Sequence, residues 1–570
     1  MSLIPTLRES ALRAPAKAAV ICGERSWSYS EFDQVTDTVA ANLVAGGVQP
    51  GDRVALHLFN GFELALSYIA CFKARAIAVP INTRFKGPEI DYVLRHSACV
   101  CYIGQPELFC EVAAFWKRWP SLSCCYLTGG APNGEKIRPF DDLLRSVHST
   151  LSFDSIPNST TAAILYTSGT TARPKGVTHS HQTLAETAKA MQGINLDENQ
   201  IVLVVSSMAH MIGTMLFLCS LLNGATFVLL PQIEPRTVLQ AFQRHRCTYT
   251  VGLPTTLLSV AQFQITNPHD VSSGRFFYCG GDSVSAALCA TFQRAMGCPL
   301  IELYGCTEGA PLTSNPQACV RVGSIGQAIP GVRIRLLDAA GCDVAPGQVG
   351  ELCFQSQLRT TGYWEDPEAT AAALRDGWFH TGDLVRCDAD GYYWFAGRSK
   401  QIIVRGGSNI SPQEVEAALQ EHPSVREVAV IGRLDPVWGE KVVVYAVRHS
   451  GKPLTKAELI ACACSRIASY KVPEDVIFLE ALPRTPTGKL DRRALREADR
   501  LRCSQALTHI AANEEVLRAA WSGGAQPKDR HLPHFPQFAK LSRGIPLEID
   551  GRESHSDKFA NGTAEGESRK

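Results

Sequence analysis

Short apolar runs alternate with stretches of helical spacing through the first four hundred residues of the chain. Residues 53–59 (RVALHLF) have the pattern of a strand, residues 62–74 repeat apolar positions at helical intervals, and residues 76–82 (AIAVPIN) return to a strand pattern. Similar β-rich runs occur at 162–167, 201–205, 226–230, 249–253, 275–281 and 300–305. Strands that alternate with helices predict an α/β protein with mainly parallel sheets, whose ligands bind beyond the carboxyl ends of the strands.

The pattern changes near residue 330. Three strand-like runs, at 332–338, 350–356 and 391–397, are separated by turn dipeptides such as Pro346-Gly347. Strands separated by short turns favour antiparallel pairing. We therefore predict a barrel-like β section after the parallel sheets.

A smaller α+β unit is predicted from about Lys400. Its strands and helices follow a β-α-β-β-α-β order, with segments at 401–407, 413–422, 425–432, 441–448, 454–468 and 476–483. After about residue 500 the periodicity fades, and the segment from Ala525 is rich in Gly, Pro, Ser and charged residues. We predict a large domain over 1–398, a small mobile domain over 399–500 and a flexible tail over 501–570.

One long segment, residues 201–230, contains no Lys, Arg, Asp or Glu and is long enough to span a bilayer. Ser206-Ser207, His210, Gly213 and Asn223-Gly224 interrupt it. These residues divide the segment into a strand, a loop, an apolar helix, a turn and a second strand. We predict a buried unit here and no transmembrane helix.

Composition excludes some functional classes. The 570 residues include 56 basic and 55 acidic side chains, so the formal charge of +1 gives no basic surface for nucleic acid. The N-terminal residues carry Arg8, Glu9 and Arg13 without a long apolar run, so no secretory signal is expected. The 20 cysteines lack zinc-type spacing and are expected to be reduced thiols. A cytoplasmic protein is expected.

The strongest local motif is Tyr166–Val177 (YTSGTTARPKGV), in which a β run ends in hydroxyls, glycines and a lysine. Hydroxyls and exposed backbone N–H groups donate to phosphate oxygens, and Lys175 adds a positive charge. The motif lacks the G-x-x-x-x-G-K-[ST] order of a Walker A loop. On composition alone, a mobile surface loop is the more common explanation.

Further motifs change this assessment. The following occur in order along the chain: Tyr166–Val177, Leu303–Gly309 (LYGCTEG), Thr381–Asp383 (TGD), Gly397–Gly407 (GRSKQIIVRGG) and Pro483–Arg493 (PRTPTGKLDRR). Together they resemble the adenylate-forming (AMP-binding) superfamily, over about residues 5 to 500. Within it, the chain looks like fatty-acyl-CoA and 4-coumarate-CoA ligases. The resemblance implies an acyl-CoA synthetase that uses ATP, Mg²⁺ and coenzyme A.

The resemblance also implies roles for individual residues around ATP. The β- and γ-phosphates would be held by Thr167, Ser168, Gly169, Thr170, Thr171 and Lys175. Adenine would lie against Tyr304 and the loop of Gly280, Gly281 and Asp282, and the ribose would be bound by Asp383 and Arg398. Thr307 would contact the α-phosphate, and Glu308 would hold Mg²⁺, a cation that prefers oxygen ligands. Seen alone, each of these residues is more often a turn or surface residue.

A second group is implied for the acyl chemistry. Lys489 would offset the repulsion between the carboxylate and the α-phosphate, making it catalytic together with Thr307 and Glu308. Lys400 would be the hinge of the small domain, and Gly406 and Gly407 would border the coenzyme A tunnel. The acyl pocket would include His210, Gly305 and Cys306, the last without a base to make it a nucleophile. Two departures from the family pattern are Ala172 in the phosphate loop and Gln401 after the hinge.

Three functions stay open at this point. The first is an AMP-forming acid–thiol ligase that acts on a carboxylic acid and coenzyme A. The second is an acyl-AMP ligase that loads a separate carrier protein, and the third is a catalytically silent nucleotide- or acyl-binding regulator. The predicted pocket segments 210–216, 251–255 and 305–312 carry one charged residue, Glu308, which favours a fatty or aromatic acid. The identity of the acid and a homodimeric state stay open.

Overall fold

The computed structural model describes residues 3–115, 118–119, 121–129, 137–146, 156–167, 173–281, 284, 286–338, 340–398, 403–410, 412–483, 490–492 and 494–504. Residues 1–500 form one compact unit. In the second unit, 501–570, only residues 501–504 are described, and they are helical. The predicted flexible tail therefore falls almost wholly outside the described residues.

The helices of the described residues are α1 Leu3–Arg13, α2 Tyr29–Ala45, α3 Phe62–Lys73, α4 Gly87–His96, α5 Pro106–Ala113, α6 His181–Gln192, α7 Met211–Leu222, α8 Pro235–His245, α9 Pro254–Thr266, α10 Ala286–Met296, α11 Pro367–Ala373, α12 Pro412–Gln420 and α13 Lys456–Cys464. Many begin at residues that favour a helix N-terminus. Ser28 and Glu31 form a reciprocal capping box on α2, and Pro412 opens α12.

The strands are β1 Ala18–Cys22, β2 Arg25–Ser28, β3 Arg53–His57, β4 Ile77–Pro80, β5 Cys101–Gly104, β6 Cys124–Leu127, β7 Ile137–Pro139, β8 Thr161–Thr167, β9 Lys175–Ser180, β10 Ile201–Val204, β11 Thr226–Leu229, β12 Tyr249–Gly252, β13 Phe276–Cys279, β14 Leu300–Cys306, β15 Gly309–Ser314, β16 Gln327–Ala328, β17 Arg333–Leu337, β18 Val349–Gln355, β19 Gly362–Tyr363, β20 Leu374–Arg375, β21 Trp378–Cys387, β22 Tyr393–Arg398, β23 Ile403–Arg405, β24 Ser408–Ile410, β25 Val425–Asp435, β26 Gly439–Arg448 and β27 Asp475–Leu479.

Two large sheets form the first part of the molecule. One has the order β16-β15-β14-β13-β12-β10-β11-β1-β2, and the other has the order β19-β9-β8-β4-β3-β5-β6-β7. Their central strands are parallel, whereas β2, β15, β16, β9 and β19 add antiparallel edges. Helices pack between them around one large apolar core. The predicted α/β class is confirmed, and the antiparallel edges are an addition to the predicted pattern.

The uncharged segment 201–230 forms β10, helix α7 and β11, as predicted. Both strands are buried, and α7 is buried on nearly all sides, which explains its apolar composition without a membrane. Among the described residues, no helix combines the length and the hydropathy that a bilayer crossing requires.

The later strands also follow the predicted pattern. Strands β17, β18, β21, β20 and β22 form an antiparallel sheet. The last sheet has the order β24-β23-β26-β25 with β27 beside β26, and α12 and α13 pack on it. Strand β24 was not predicted, because its three residues are too few to show a period. The domain boundaries at 398/399 and 500/501 stay predictions.

Candidate active site

The hydroxyl-rich motif begins where strand β8 ends. Thr167 is the last residue of β8, and Lys175 is the first residue of β9, directly across the antiparallel pair. Lys175 is therefore part of a strand and not of a loop as its motif suggested, so its backbone is fixed by the ladder. Its Nζ lies 4.6 Å from the centre of the Tyr363 ring and 4.0 Å from Asp366 Oδ2. Ser168, Gly169, Thr170, Thr171 and Ala172 lie outside the described residues.

Thr307 and Glu308 occupy the turn between β14 and β15. The Thr307 carbonyl accepts a hydrogen bond from His179 Nε2 at 2.8 Å, and the Glu308 carbonyl accepts one from the Thr360 N–H at 2.7 Å. The Tyr363 hydroxyl donates to Glu308 Oε1 at 2.8 Å. Burial lowers the pKa of His179 to about 4, so its ring is neutral and can donate through Nε2 alone. These bonds fix the turn before any ligand binds.

His179 and Tyr363 were not predicted as site residues. His179 lies on β9, which the sequence pattern did not resolve from the preceding loop. Tyr363 belongs to the two-residue strand β19, which pairs with β9 and so reaches the same edge of the sheet. A two-residue strand leaves no periodic signal, and its position depends on pairing with residues nearly two hundred positions away.

Asp383 and Tyr304 meet at the predicted nucleotide site. The Tyr304 hydroxyl donates to Asp383 Oδ2 at 2.6 Å, and both residues are largely buried. The N–H of Asp383 donates to Thr381 Oγ1 at 3.1 Å, and the N–H of Gly382 donates to Glu351 Oε1 at 2.9 Å. Burial and the Asp383 carboxylate raise the pKa of Tyr304, which keeps its hydroxyl protonated as a donor. The Tyr304 hydroxyl thus orients the carboxylate, and the side chains of Thr381 and Glu351 hold the backbone that carries it.

The glycines predicted on the adenine side follow β13. A Cβ atom on Gly280 would lie 2.7 Å from the Leu303 carbonyl oxygen, and Gly281 has a φ of +85°. Both positions therefore exclude larger side chains. Asp282 lies outside the described residues, and so do Lys400, Gln401 and Lys489. The backbone of Arg398 ends β22 opposite Asp383 in the strand register, whereas its side chain is not described.

Glu302 is a buried carboxyl beside this loop that sequence reasoning missed. It lies on β14 and is 7% exposed, and the backbone N–H of Val284 donates to it. Burial raises the pKa of Glu302 to about 8. The available signal was an acidic residue inside the apolar run LIELYG. Glu302 links β14 to the segment that follows Gly281.

One cluster of metal-type ligands lies next to Asp383. Glu351, Cys353 and His380 place their ligand atoms within 4.8 Å of one another. Arg375 Nη2 donates to His380 Nδ1 at 2.8 Å, so the lone pair of this nitrogen is already used and cannot bind a metal ion. A thiol and an imidazole also do not suit Mg²⁺, which prefers oxygen. We interpret the cluster as a hydrogen-bonded group and not as a metal site, whereas the Glu308 carboxylate offers the oxygens that suit Mg²⁺.

The predicted acyl-pocket residues lie just before α7 and at the end of β14. His210 precedes α7, and burial together with the positive charges of Arg84 and Lys471 lowers the pKa of its ring to about 4. The His210 side chain is nevertheless accessible to solvent. A Cβ on Gly305 would lie 2.8 Å from Ala310 Cβ. Burial, Glu308 and Asp383 raise the pKa of the Cys306 thiol, which makes it a poor nucleophile.

Gly406 and Gly407 form the turn between β23 and β24, with φ values of +53° and +76°. A Cβ on Gly407 would lie 2.5 Å from Leu253 Cδ2, and one on Gly406 would lie 3.0 Å from Trp438 Cε3. Leu253 directly follows β12. The glycine turn therefore packs closely on the first part of the molecule.

The described residues bring together a lysine, two carboxylates held by hydrogen bonds and a glycine turn that follows the parallel strand β13. The sequence matches the family described as AMP-binding enzyme over residues 7–364, and its C-terminal domain over residues 414–489. The chain belongs to the AMP-binding enzyme family. The predicted superfamily is therefore confirmed.

Several relatives have been named. The indoleacetate–CoA ligase of Aromatoleum aromaticum is 34% identical over 494 residues, which cover 85% of this chain and 95% of that protein. The medium-chain fatty-acid–CoA ligase of Escherichia coli is 31% identical over 525 residues, covering 87% and 90%. The solved amide bond synthetase McbA of Marinactinospora thermotolerans has a TM-score of 0.79 and 26% identity, covering 87% of this chain and 99% of that one.

A further solved structure is the o-succinylbenzoate CoA synthetase of Bacillus subtilis, bound with its product analogue OSB-NCoA. Its TM-score is 0.78 at 26% identity, covering 87% of this chain and 98% of that one. These comparisons confirm the predicted class of enzyme, an AMP-forming acid–CoA ligase that uses ATP, Mg²⁺ and coenzyme A.

Proposed function

We propose that this enzyme activates an aromatic or fatty carboxylic acid as its acyl-adenylate and transfers the acyl group to coenzyme A. The observation that carries the proposal is the convergence of Lys175, Glu308 and Asp383 around the β14–β15 hairpin, where Tyr363 contacts both Lys175 and Glu308, and Tyr304 of β14 donates to Asp383. The relatives named for indoleacetate and for medium-chain fatty acids support both acid classes.

For adenylate formation, ATP would lie across this edge. Thr167 and Lys175 would bind the β- and γ-phosphates, and Asp383 would accept hydrogen bonds from the ribose hydroxyls. Mg²⁺ supplies charge neutralisation at the phosphate oxygens when it is bound, and the Glu308 carboxylate would hold it. Because the substrate carboxylate and the α-phosphate are both anionic, Thr307 and Lys489 would stabilise the charge as the two groups meet. Gly280, Gly281, Asp282, Tyr304 and Arg398 would complete the nucleotide site.

For acyl transfer, the pantetheine thiol would attack the carbonyl carbon of the adenylate, and AMP would leave. Gly406 and Gly407 would border the path of the thiol arm, where their lack of side chains lets the turn approach Leu253 closely. His210, Gly305 and Cys306 would line the recess that holds the acyl group. Lys400 would be the hinge between the two orientations.

The proposed class of acid follows from the charged residues in the predicted pocket segments. In the segments 210–216, 251–255 and 305–312 the sequence places one charged side chain, Glu308, which the proposal assigns to Mg²⁺. An amino acid substrate would need an acidic partner for its ammonium group, because an unpaired buried charge is costly. An apolar acid needs no such partner.

A panel of carboxylic acids with ATP, Mg²⁺ and coenzyme A tests the proposal. AMP release should depend on both the acid and coenzyme A, and mass spectrometry should find the acyl-CoA product. Indoleacetate, ferulate and octanoate serve as aromatic and aliphatic probes, and alanine serves as the matched amino acid control. Turnover of alanine in preference to every apolar acid would refute the assigned acid class.

A carrier protein is the second candidate acceptor. A relative that is 30% identical over 516 residues, from Streptomyces coeruleorubidus, is named as a fatty acid–[acyl-carrier-protein] ligase. Acyl transfer to pantetheinylated carrier protein in place of coenzyme A would favour this function. The third candidate is a silent regulator. Such a protein would release no pyrophosphate with any acid in the panel. We also propose a cytoplasmic location and a homodimer. Light scattering of the purified enzyme tests the oligomeric state.

A further inference from the structure

A buried ionic cluster lies away from the nucleotide-binding residues. Lys471 Nζ lies 2.6 Å from Glu89 Oε1 and 2.6 Å from Glu414 Oε1. The three side chains are 1%, 6% and 8% exposed. Lysine and glutamate are rarely buried to this degree unless they are paired, because removing their charges from water is costly. We call these residues the Lys471 cluster.

The Lys471 cluster joins the two parts of the family match. Glu89 lies on α4, within the residues that match the AMP-binding enzyme family. Glu414 is in the first turn of α12, and Lys471 ends the short 3-10 turn Ser469–Lys471; both fall in the match to the C-terminal domain. The ion pair of Lys471 with Glu414 is therefore internal to the C-terminal domain, whereas its pair with Glu89 crosses between the domains.

The contact that crosses is well defined in geometry. Glu89 is held by its own helix, because its Oε2 accepts the Lys86 N–H at 3.0 Å while its Oε1 accepts Lys471. The Lys471 ammonium also lies 4.8 Å from the centre of the Phe85 ring, within the range of a cation–π interaction. Ala468, three residues earlier, is fully buried in an apolar cluster with side chains of α4. The turn thus docks through both apolar and charged contacts.

This docking contact connects to the glycine turn. Arg405, the residue before Gly406, donates from Nη1 to the Tyr470 carbonyl at 3.0 Å. The docked turn, residues 469–471, and the glycine turn therefore belong to one connected face of the C-terminal domain. Lys471 is also close enough to His210 for its charge to contribute to the lowered pKa of that ring. The Lys471 cluster is therefore part of the domain contact and also lies near a residue predicted to line the acyl pocket.

We propose that Lys471 is a positioning residue whose ion pair with Glu89 holds the C-terminal domain in the orientation used for acyl transfer to the thiol. This inference rests on the proposed function, in which the domain takes a different orientation for adenylate formation. In the docked orientation one cation faces two buried carboxylates. When the domain turns away, Glu89 returns to water and needs no partner, while Lys471 keeps Glu414.

Because Glu89 needs Lys471 as a partner in the docked orientation alone, removal of Lys471 should affect one of the two half-reactions. Without the ammonium group, Glu89 and Glu414 would face each other in the docked interface with no cation between them, which penalises docking. The undocked orientation avoids this repulsion, so the population shifts toward it. Loss of the cation should therefore slow acyl transfer and leave adenylate formation nearly unchanged.

The test measures the two half-reactions of the full-length enzyme separately. Adenylate formation is followed by acid-dependent exchange of pyrophosphate into ATP, and transfer by single-turnover reaction of supplied acyl-adenylate with coenzyme A. In Lys471→Met, transfer should fall by about 10- to 100-fold, the change that a shift of one to two decades in the docking equilibrium produces. Exchange should change by less than about threefold. Lys456→Met, which removes the exposed pair of Lys456 with Asp475, is the matched control and should alter neither step.

A second substitution separates positioning from general damage. Adding Glu89→Gln to Lys471→Met removes one of the two opposed carboxylates, so transfer should recover several-fold, and Lys471→Arg should retain most of the transfer rate. If Lys471→Met unfolds, Glu89→Gln alone carries the test, since it leaves the pair with Glu414 and should slow transfer by about tenfold.

The outcomes distinguish the inference from the function beneath it. If none of the acids supports pyrophosphate exchange by the wild-type enzyme, the proposed function fails and the inference fails with it. If the wild-type enzyme performs both steps, equal loss of the two steps in Lys471→Met overturns the inference alone. Unchanged transfer in that variant, or no recovery with Glu89→Gln, also overturns it.

Discussion

The buried carboxyl of Glu302 makes folding stability depend on pH in a predictable direction. Its pKa is raised to about 8 by burial, from an ordinary 4.5. An acid whose pKa is higher in the folded state than in the unfolded state favours folding only while it is protonated. Its contribution is fully present below pH 4.5 and is lost progressively as the pH rises to about 8. Stability should therefore fall across this window because of Glu302.

The magnitude follows from the shift in pKa. One pKa unit corresponds to about 1.4 kcal/mol, so complete ionisation of Glu302 in the folded state costs up to about 5 kcal/mol. Relaxation of the protein around the charge reduces this cost, so we expect a measured value of roughly 2–3 kcal/mol. Such a cost lowers the melting temperature by several degrees in a protein of this size.

The variant Glu302→Gln removes the titration while it keeps the shape of the side chain. The amide oxygen can accept the Val284 N–H as the carboxyl does, and the variant carries no charge above pH 8. We expect the melting temperature of the variant, relative to wild type, to rise by several degrees between pH 5 and pH 8.5. Differential scanning fluorimetry over this range measures the difference directly.

The control is an exposed acidic residue. Glu458 caps α13, and its hydrogen bonds from the backbone and hydroxyl of Thr455 lower its pKa. Glu458→Gln should therefore show a nearly constant difference from wild type between pH 5 and pH 8.5. If Glu302→Gln also gave a constant difference over this range, the assigned pKa shift would be refuted.

Three further predictions concern the proposed active site. Tyr363→Phe removes the hydroxyl that donates to Glu308, so the Mg²⁺ concentration for half-maximal exchange should rise about fivefold, equivalent to about 1 kcal/mol; an unchanged Mg²⁺ dependence contradicts the role of this bond. Asp383→Asn keeps an acceptor for Tyr304 but loses the charge, and calorimetry should show ATP binding weakened by about 10- to 100-fold; equal affinity would remove Asp383 from the ribose site. Lys489→Ala should lower pyrophosphate exchange by at least about 100-fold while sparing transfer from supplied acyl-adenylate, and Lys400→Pro should do the reverse; loss of both steps in both variants would contradict this division.

The strands and helices were largely predictable because their signals are local. The run AAILYT became β8, the uncharged segment 201–230 became β10, α7 and β11, and Pro412 opens α12. Helix α13 ends at Cys464, earlier than the predicted Ala468, because the last residues of that segment form a turn that docks on α4. Tertiary packing therefore sets the C-terminal end of α13, and the spacing of apolar residues in the sequence does not indicate it.

The candidate site was predictable where motifs carry their own pattern. Lys175, Glu308 and Asp383 lie in such motifs, and the structure brings their surroundings together. The groups that hold them in place were not predictable, because strand pairing alone brings His179, Tyr363 and Glu351 next to these motifs. Lys471 and Glu89 are 382 positions apart, so their contact exists only in the folded protein.

Leu253 has a consequence for how this enzyme could acquire new substrates. Its side chain is in the predicted wall of the acyl pocket and also supports the Gly407 turn. A substitution that widens the pocket at this position would remove the surface on which that turn rests. Selection for a bulkier acid at this residue would therefore be constrained by the need to keep thioester formation fast, so specificity should diverge more readily at pocket positions whose side chains do not support the turn.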